Sequence, residues 1–168
     1  MLIFLVGMMG SGKTTIGKLL AEELSLPFFD TDDIITSIEG SSVSEIFQNK
    51  GETHFRDIEF GLVNNWKMSH GVVSTGGGLP THHGIMEILN DKGVTIYLKS
   101  SVDTLVSRVN NDPLRPLVAN KTVGEVKKTL SNLLKERKEY YNKSIYTVTT
   151  NGNPQEIVKK IIVKIYSK

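Results

Sequence analysis

Near its start the chain reads Gly7-Met8-Met9-Gly10-Ser11-Gly12-Lys13-Thr14, which matches the phosphate-binding loop (P-loop) pattern GxxxxGK(S/T) at every fixed position. The apolar run from Leu2 to Val6 precedes this segment and has the length of a buried strand. After it, apolar residues recur with helical spacing as far as Leu24. A glycine-rich loop between a strand and a helix is the context that this motif requires, so we predict a phosphate-binding loop here.

The residue types in the loop suit a nucleoside triphosphate bound with Mg²⁺. Backbone N–H groups of residues 10–14 can point at phosphate oxygens, and the N-terminus of the following helix adds positive potential. Lys13 would place a positive charge on the β- and γ-phosphates, and the Thr14 hydroxyl could coordinate the Mg²⁺ ion that bridges them. A P-loop alone does not separate a kinase from a GTPase, an ATPase motor or a switch, so the rest of the chain must decide.

The composition favours one globular domain without a polyanionic partner. The chain has 168 residues, of which 39% are hydrophobic, enough for one well-packed core and too few for two. With 20 Lys and Arg against 18 Asp and Glu, the net charge of +2 gives no reason to expect nucleic acid as a partner. The lack of cysteine fits a reducing compartment, and no apolar run approaches the ~20 residues of a membrane span. Residues 1–9 are apolar but lack the basic start of a signal peptide, so we expect a cytoplasmic protein with no membrane partner.

Strand and helix patterns alternate along the chain. The predicted strands are Leu2–Val6, Phe28–Phe29, Val72–Ser74, Val94–Leu98 and Ile145–Thr149. This alternation predicts an α/β fold in which a parallel sheet carries helices on both faces and binds ligands at the carboxyl ends of its strands. A capping-box pattern at Ser42 predicts a short helix that Gly51 closes, followed by a longer helix from Thr53 to Met68. Residues 110–121 have no periodicity and two prolines, which is typical of a mobile surface loop.

Two motifs follow predicted strands and could face the nucleotide. In the first, Asp30 and Asp32 could divide two tasks, one holding water ligands of Mg²⁺ and the other accepting a hydrogen bond from an attacking hydroxyl. An aspartate at a helix start is about as often a cap, and that alternative stays open. The second is the triplet Gly76-Gly77-Gly78, which suits a backbone that another group approaches closely, although a plain tight turn is also compatible.

The sequence alone does not show whether three arginines bind a ligand or lie on the exposed surface. Arg56 and Arg137 lie in predicted helices, where such residues are usually solvated surface. Arg115 lies between Pro113 and Pro116 in the aperiodic segment. A cation on a segment that closes over the phosphates could neutralise charge on the transferred group, but a surface arginine fits equally well.

Taken together and in order, six segments resemble the shikimate kinase family. They are GMMGSGKTT at 7–15, DTD at 30–32, FRDIE at 55–59, STGGG at 74–78, RPL at 115–117 and the pair Arg137 and Tyr141. The resemblance implies a single domain over residues 1–168 with a three-layer, nucleoside-monophosphate-kinase-like P-loop fold and a five-stranded parallel sheet. It also implies a substrate-binding segment at about 31–61 and a short lid at about 110–122.

The activity implied by this resemblance is ATP-dependent phosphorylation of the 3-hydroxyl of shikimate, a step of chorismate and aromatic amino acid biosynthesis, by a monomer. Asp32, Lys13 and Arg115 would be catalytic, and Thr14 with Asp30 would hold Mg²⁺. The shikimate contacts would be Asp32, Arg56, Gly77, Gly78 and Arg137, with both arginines on the carboxylate. The ATP contacts would be Gly10, Ser11, Gly12, Lys13, Thr14, Thr15, Arg108, Arg115 and Pro154, with Arg108 and Pro154 flanking adenine.

Two other functions stay open at this point. A kinase for another small hydroxy acid, such as gluconate, would make no joint use of Asp32, Arg56 and Arg137. A nucleotide-dependent switch or binding module would hydrolyse nucleotide at a rate that no polyol acid changes.

Overall fold

The computed structural model of the chain describes residues 1–82, 84–109, 118 and 121–167. The strands in these ranges are β1 (Leu2–Val6), β2 (Phe28–Asp30), β3 (Gly71–Ser74), β4 (Val94–Lys99) and β5 (Tyr146–Thr149). The helices are α1 (Lys13–Glu23), α2 (Thr31–Glu39), α3 (Val43–Asn64), α4 (Ile85–Lys92), α5 (Val102–Val109), α6 (Val123–Tyr141) and α7 (Pro154–Tyr166), with one 3₁₀ turn at Leu79–Thr81. Arg115 and most of the proposed lid (about 110–122) lie outside the described residues, although Val118 is described as buried and Thr122 caps α6.

The five strands form one parallel sheet in the order β2-β3-β1-β4-β5. This confirms the predicted α/β class with a five-stranded parallel sheet. In the register of the central strands, Leu5 of β1 lies opposite Ser74 of β3 and Ile96 of β4. Because all the strands run the same way, the carboxyl ends of β1, β2 and β3 meet at one edge of the sheet.

β1 is apolar throughout because both faces of the sheet are covered. Leu2, Phe4 and Val6 belong to one core, whereas Ile3 and Leu5 belong to the other. The first core is completed by α4, α5 and α6, and the second by α1 and α7. All five side chains of the strand are buried, which is why the sequence shows a continuous run instead of alternation. Among the described residues, no helix is both long and apolar enough to cross a membrane.

A smaller third core joins α2 to α3. It contains Ile35, Ile46 and Phe55. The predicted break at Gly51 is confirmed, since this residue has φ 85° and ψ 167° within α3. The predicted end of the helix at Met68 is wrong, because Asn65 caps it four residues after Gly61, whose carbonyl accepts both the backbone and the side-chain N–H of Asn65.

The last strand also starts one residue later than the sequence suggests. The backbone N–H of Ile145 donates to the hydroxyl of Thr95 at 2.9 Å. This side-chain bond takes Ile145 out of the strand ladder, so β5 begins at Tyr146.

Substitution of two glycines by alanine should change the stability of the protein in opposite directions. A Cβ at Gly93 would meet the carbonyl oxygen of Leu2 in the central strand, which is backbone and cannot turn aside. A Cβ at Gly61, within α3, would meet nothing within 4 Å. We expect Gly93→Ala to lower the free energy of unfolding by about 1–3 kcal/mol. We expect Gly61→Ala to raise it by up to ~1 kcal/mol through helix propensity.

Urea unfolding followed by circular dichroism measures both changes, and each variant serves as the control for the other. Equal stability of the two variants would contradict the packing described for the start of β4.

Candidate active site

A cavity of about 920 Å³ opens at the edge where β1, β2 and β3 end. Most of the residues predicted for the site line it, namely Gly10, Gly12, Lys13, Thr14, Thr15, Asp30, Asp32, Arg56, Gly77, Gly78, Arg108 and Arg137. Ser11 belongs to the same loop, but its side chain is fully buried. Pro154 is the first residue of α7 and is not among the lining residues.

The P-loop is held in its curved form by its own backbone. Gly10 and Gly12 have φ values of 76° and 94°, which residues with a side chain rarely adopt. Lys13 is buried, and its Nζ donates to the carbonyl oxygens of Gly7 at 2.9 Å and Met8 at 3.0 Å. The lysine charge is therefore kept at the loop on polar partners that an anionic ligand could replace.

Asp30 caps a helix and also contacts the P-loop. One oxygen of its carboxylate accepts the backbone N–H of Asp32 at 3.1 Å and caps α2. The other accepts the hydroxyl of Thr14 at 2.9 Å. A hydroxyl and a carboxylate side by side are oxygen ligands of the type that Mg²⁺ uses when phosphates and waters supply the rest.

Asp32 presents a carboxylate with an unused oxygen to the cavity. Among the described residues, its buried Oδ1 has no hydrogen-bond partner. Burial raises the pKa of Asp32, the neighbouring Asp30 raises it further, and Lys13 opposes both effects. A desolvated carboxylate with a free oxygen is suited to accept a hydrogen bond from a hydroxyl group.

Arg56 is held on α3 by two carboxylates. Its Nη1 donates to Glu59 at 2.6 Å, and its Nη2 donates to Glu52 at 2.9 Å. Burial lowers the pKa of Arg56, but these carboxylates raise it by more, so the net shift is upward. The guanidinium side chain is only 18% exposed, which excludes the solvated-surface interpretation.

The glycine triplet lies next to both acceptor-side arginines, and the lack of a side chain at Gly78 makes room for Arg56. A Cβ at Gly78 would lie 2.5 Å from Nη1 of Arg56. A Cβ at Gly77 would lie 3.6 Å from Nη1 of Arg137. The triplet therefore brings α3 and α6 together although 81 residue positions separate Arg56 from Arg137.

Glu59 was missed by the sequence reasoning. Its side chain is buried, and burial raises its pKa to about 7 although Arg56 pulls in the opposite direction. Phe55, Glu59 and Val63 are buried positions at four-residue spacing on one face of α3. A carboxylate at an apolar position of a helix is the signal that could have identified it.

Arg108 contacts the outer side of the P-loop. Its Nη1 donates to the carbonyl oxygens of Gly10 at 3.2 Å and Ser11 at 3.5 Å. Its Nη2 donates to the carbonyl oxygen of Thr150 at 3.2 Å. Arg108 thus links the P-loop to the segment between β5 and α7, the segment that leads into Pro154.

Comparisons with known proteins agree with this arrangement. A family model described as shikimate kinase matches residues 9–166. The shikimate kinase of Azobacteroides pseudotrichonymphae is 40% identical over 167 residues, covering 97% of this chain and 98% of the relative. That of Aquifex aeolicus is 34% identical over 166 residues, covering 98% of this chain and 96% of the relative.

Solved structures extend the likeness to three dimensions. The shikimate kinase of Acinetobacter baumannii in complex with shikimate has a TM-score of 0.90 and 36% identity, over 99% of this chain and 93% of that chain. A deoxyadenosine kinase from M. mycoides has a TM-score of 0.62 at 13% identity, over 99% of each chain, and shares the fold alone. The match of the family model, the full-length relatives and the site geometry lead to one conclusion: this chain belongs to the shikimate kinase family.

Proposed function

We propose that this protein transfers the γ-phosphoryl group of ATP to the 3-hydroxyl of shikimate and releases shikimate 3-phosphate and ADP. The reaction is a step of chorismate and aromatic amino acid biosynthesis. One observation carries the proposal: Arg56 and Arg137 lie next to Gly78 and Gly77 and line the same cavity as the P-loop. Two guanidinium groups beside a nucleotide loop suit an acceptor that carries a carboxylate.

On the donor side, the P-loop amides and Lys13 bind the phosphates. Lys13 exchanges its bonds to the loop carbonyls for phosphate oxygens, because a full negative charge is a stronger acceptor than a carbonyl. Thr14 and Asp30 fit a Mg²⁺ ion, which would offset the negative charge of the phosphates when bound. Arg108 and Pro154 remain the candidates for flanking adenine, and Arg115 remains the candidate for a lid cation.

On the acceptor side, Asp32 accepts the hydrogen bond of the attacking hydroxyl, orients it towards the γ-phosphorus and takes up its proton as the new O–P bond forms. Burial strengthens that bond because few waters compete for the carboxylate. Arg56 and Arg137 hold the carboxylate, and the backbone N–H groups of Gly77 and Gly78 complete the acceptor contacts. Phosphoryl transfer then depends mainly on alignment and on neutralising the charge of the transferred group. The cytoplasmic location and the monomeric state stay predictions.

The substrate is tested by an ADP-release assay with MgATP and one acceptor at a time. We expect shikimate to stimulate ADP release strongly, while quinate, gluconate and nucleoside monophosphates leave it near the background rate. Stimulation by gluconate alone would favour the hydroxy-acid kinase alternative. Nucleotide hydrolysis that no acceptor changes would favour a nucleotide switch.

Substitution of Asp32 should mainly lower turnover, whereas substitution of Arg137 should mainly weaken binding of the acceptor. We expect Asp32→Asn to lower kcat by about 10²–10⁴-fold, because the amide cannot take over the proton-accepting role. We expect Arg137→Ala to raise the shikimate KM by about 10–100-fold, the loss of a charge-assisted bond, with a smaller change in kcat. Steady-state kinetics at saturating ATP measure both effects.

Lys135→Ala is the matched control, since Lys135 is an exposed cation on the same helix as Arg137. It should leave both constants within about twofold of the wild type. A rise in KM for Asp32→Asn together with a fall in kcat for Arg137→Ala would reverse the assigned roles.

Glu59 should make acceptor binding depend on pH near neutrality. Burial raises the pKa of Glu59 to about 7, so its carboxylate loses its charge as the pH falls through that value. A neutral Glu59 can still accept the hydrogen bond of Arg56, but it no longer repels an acceptor carboxylate. We therefore expect shikimate to bind more tightly at about pH 6 than at about pH 8, with uptake of a proton. Calorimetry of the nucleotide-free protein in two buffers of different ionisation enthalpy measures that proton.

Glu59→Gln keeps an acceptor for Arg56 and removes the titration, so the proton uptake should disappear. Asp32, Arg137 and His82 also face Glu59, and burial and the nearby Arg56 charge lower the pKa of His82. Proton uptake that persists in Glu59→Gln would assign the titration to one of these neighbours.

A further inference from the structure

The hydroxyl of Tyr141 lies between the two halves of the site. Tyr141 is the last residue of α6, and its side chain is fully buried. The hydroxyl donates to the carbonyl oxygen of Gly77 at 2.6 Å and lies 3.6 Å from Sδ of Met8 in the P-loop. One side chain thus contacts both the glycine triplet and the phosphate-binding loop.

The Gly77 carbonyl differs from those of the adjacent glycines in its donor. The carbonyl of Gly76 accepts the backbone N–H of Leu79 at 3.2 Å, and that of Gly78 accepts both the backbone N–H of Thr81 at 3.0 Å and its hydroxyl at 2.7 Å. These donors belong to the 3₁₀ turn that follows. Tyr141 supplies a side-chain donor to the carbonyl between them, so its bond supports the part of the triplet that the turn leaves out.

The surroundings of Gly77 show what depends on its position. A Cβ at Gly77 would lie 3.4 Å from the backbone nitrogen of Met9, 3.5 Å from the carbonyl oxygen of Gly7 and 3.6 Å from Arg137. The Gly77 peptide is therefore packed between the P-loop and the acceptor-side arginine. A shift of this peptide would change the space available to both.

Tyr141 is well placed to fix that peptide. Its ring packs against the ring of Tyr97 on β4, with centroids 5.2 Å apart, so the side chain is anchored in the core of the sheet. Burial raises the pKa of Tyr141 to about 12, and the hydroxyl stays a donor over the physiological range. Arg137 lies one helical turn earlier on α6, which places both side chains on the same face of that helix.

We propose that Tyr141 is a positioning residue for the acceptor: its hydroxyl holds the Gly77 peptide in register with Arg137 and the P-loop. This inference rests on the proposed function of the site. A purely structural role would require only the buried ring, whereas the positioning role requires the hydroxyl.

Tyr141→Phe removes the hydroxyl and keeps the ring. We expect the shikimate KM to rise about 5–30-fold, because the Gly77 carbonyl loses its donor and the triplet loses its fixed position. The ATP KM should rise less than the shikimate KM, because Lys13 also holds the P-loop through its bonds to the carbonyls of Gly7 and Met8. Direct calorimetric titration with shikimate should show the same loss of affinity. Tyr97→Phe is the matched control, since it removes a hydroxyl from the ring that packs against Tyr141 and should leave the shikimate KM unchanged.

Replacing Tyr141 by 4-aminophenylalanine restores an N–H donor at the same place and should recover most of the lost affinity. A Tyr141→Phe variant with an unchanged shikimate KM, or one that loses only thermal stability, overturns the positioning role while the proposed function stands. Failure of the wild-type protein to phosphorylate shikimate overturns the proposed function and this inference together.

Discussion

The site depends on the parallel pairing of β1 with β3. Leu5 lies opposite Ser74, and the pairing continues one residue further, where both the backbone N–H and the hydroxyl of Thr75 donate to the carbonyl of Leu5 at 3.1 Å. These bonds bring together two glycine loops that lie about 70 positions apart in the sequence. Helices pack on both faces of these strands and bury them. The helices also place charged residues at this edge of the sheet.

The cations of the site are held by partners inside the protein. Lys13 bonds to loop carbonyls, Arg56 to two glutamates, and Arg108 to carbonyls of two loops. A cation removed from water without a partner would be costly, so the fold supplies partners for the buried Lys13 and the half-buried Arg56. An anionic ligand then replaces part of an existing set of bonds instead of meeting a solvated side chain. The charged groups need little rearrangement when the ligand arrives, which is the condition for electrostatic stabilisation of phosphoryl transfer.

Local patterns were sufficient for the strands, the P-loop and the fold class. The errors at helix and strand ends come from hydrogen bonds that periodicity does not encode, such as the bond of Ile145 to the Thr95 hydroxyl. From the sequence alone, Arg56 was interpreted as a solvent-exposed residue. Its burial depends on Gly78, which lies far along the chain. Glu59 was missed for a similar reason: its nearest cation lies on the same helix, but its burial comes from packing against other elements. Family resemblance supplied the role of Arg56, and only the fold supplies that of Glu59.

The glycine triplet shows why composition alone could not define the acceptor site. The positive φ values of the described glycines do not include residues 76–78, so these three are not required for a left-handed turn. Two of them, Gly76 and Gly78, are required for space. A Cβ at Gly76 would lie 2.7 Å from the Asp32 carboxylate and 2.8 Å from that of Glu59, and one at Gly78 would overlap the Arg56 guanidinium. The missing side chains of Gly76 and Gly78 make room for charged groups from other elements, whereas a Cβ at Gly77 would make only ordinary van der Waals contacts. The acceptor side of the site therefore depends on residues that lack a side chain as well as on the charged residues themselves.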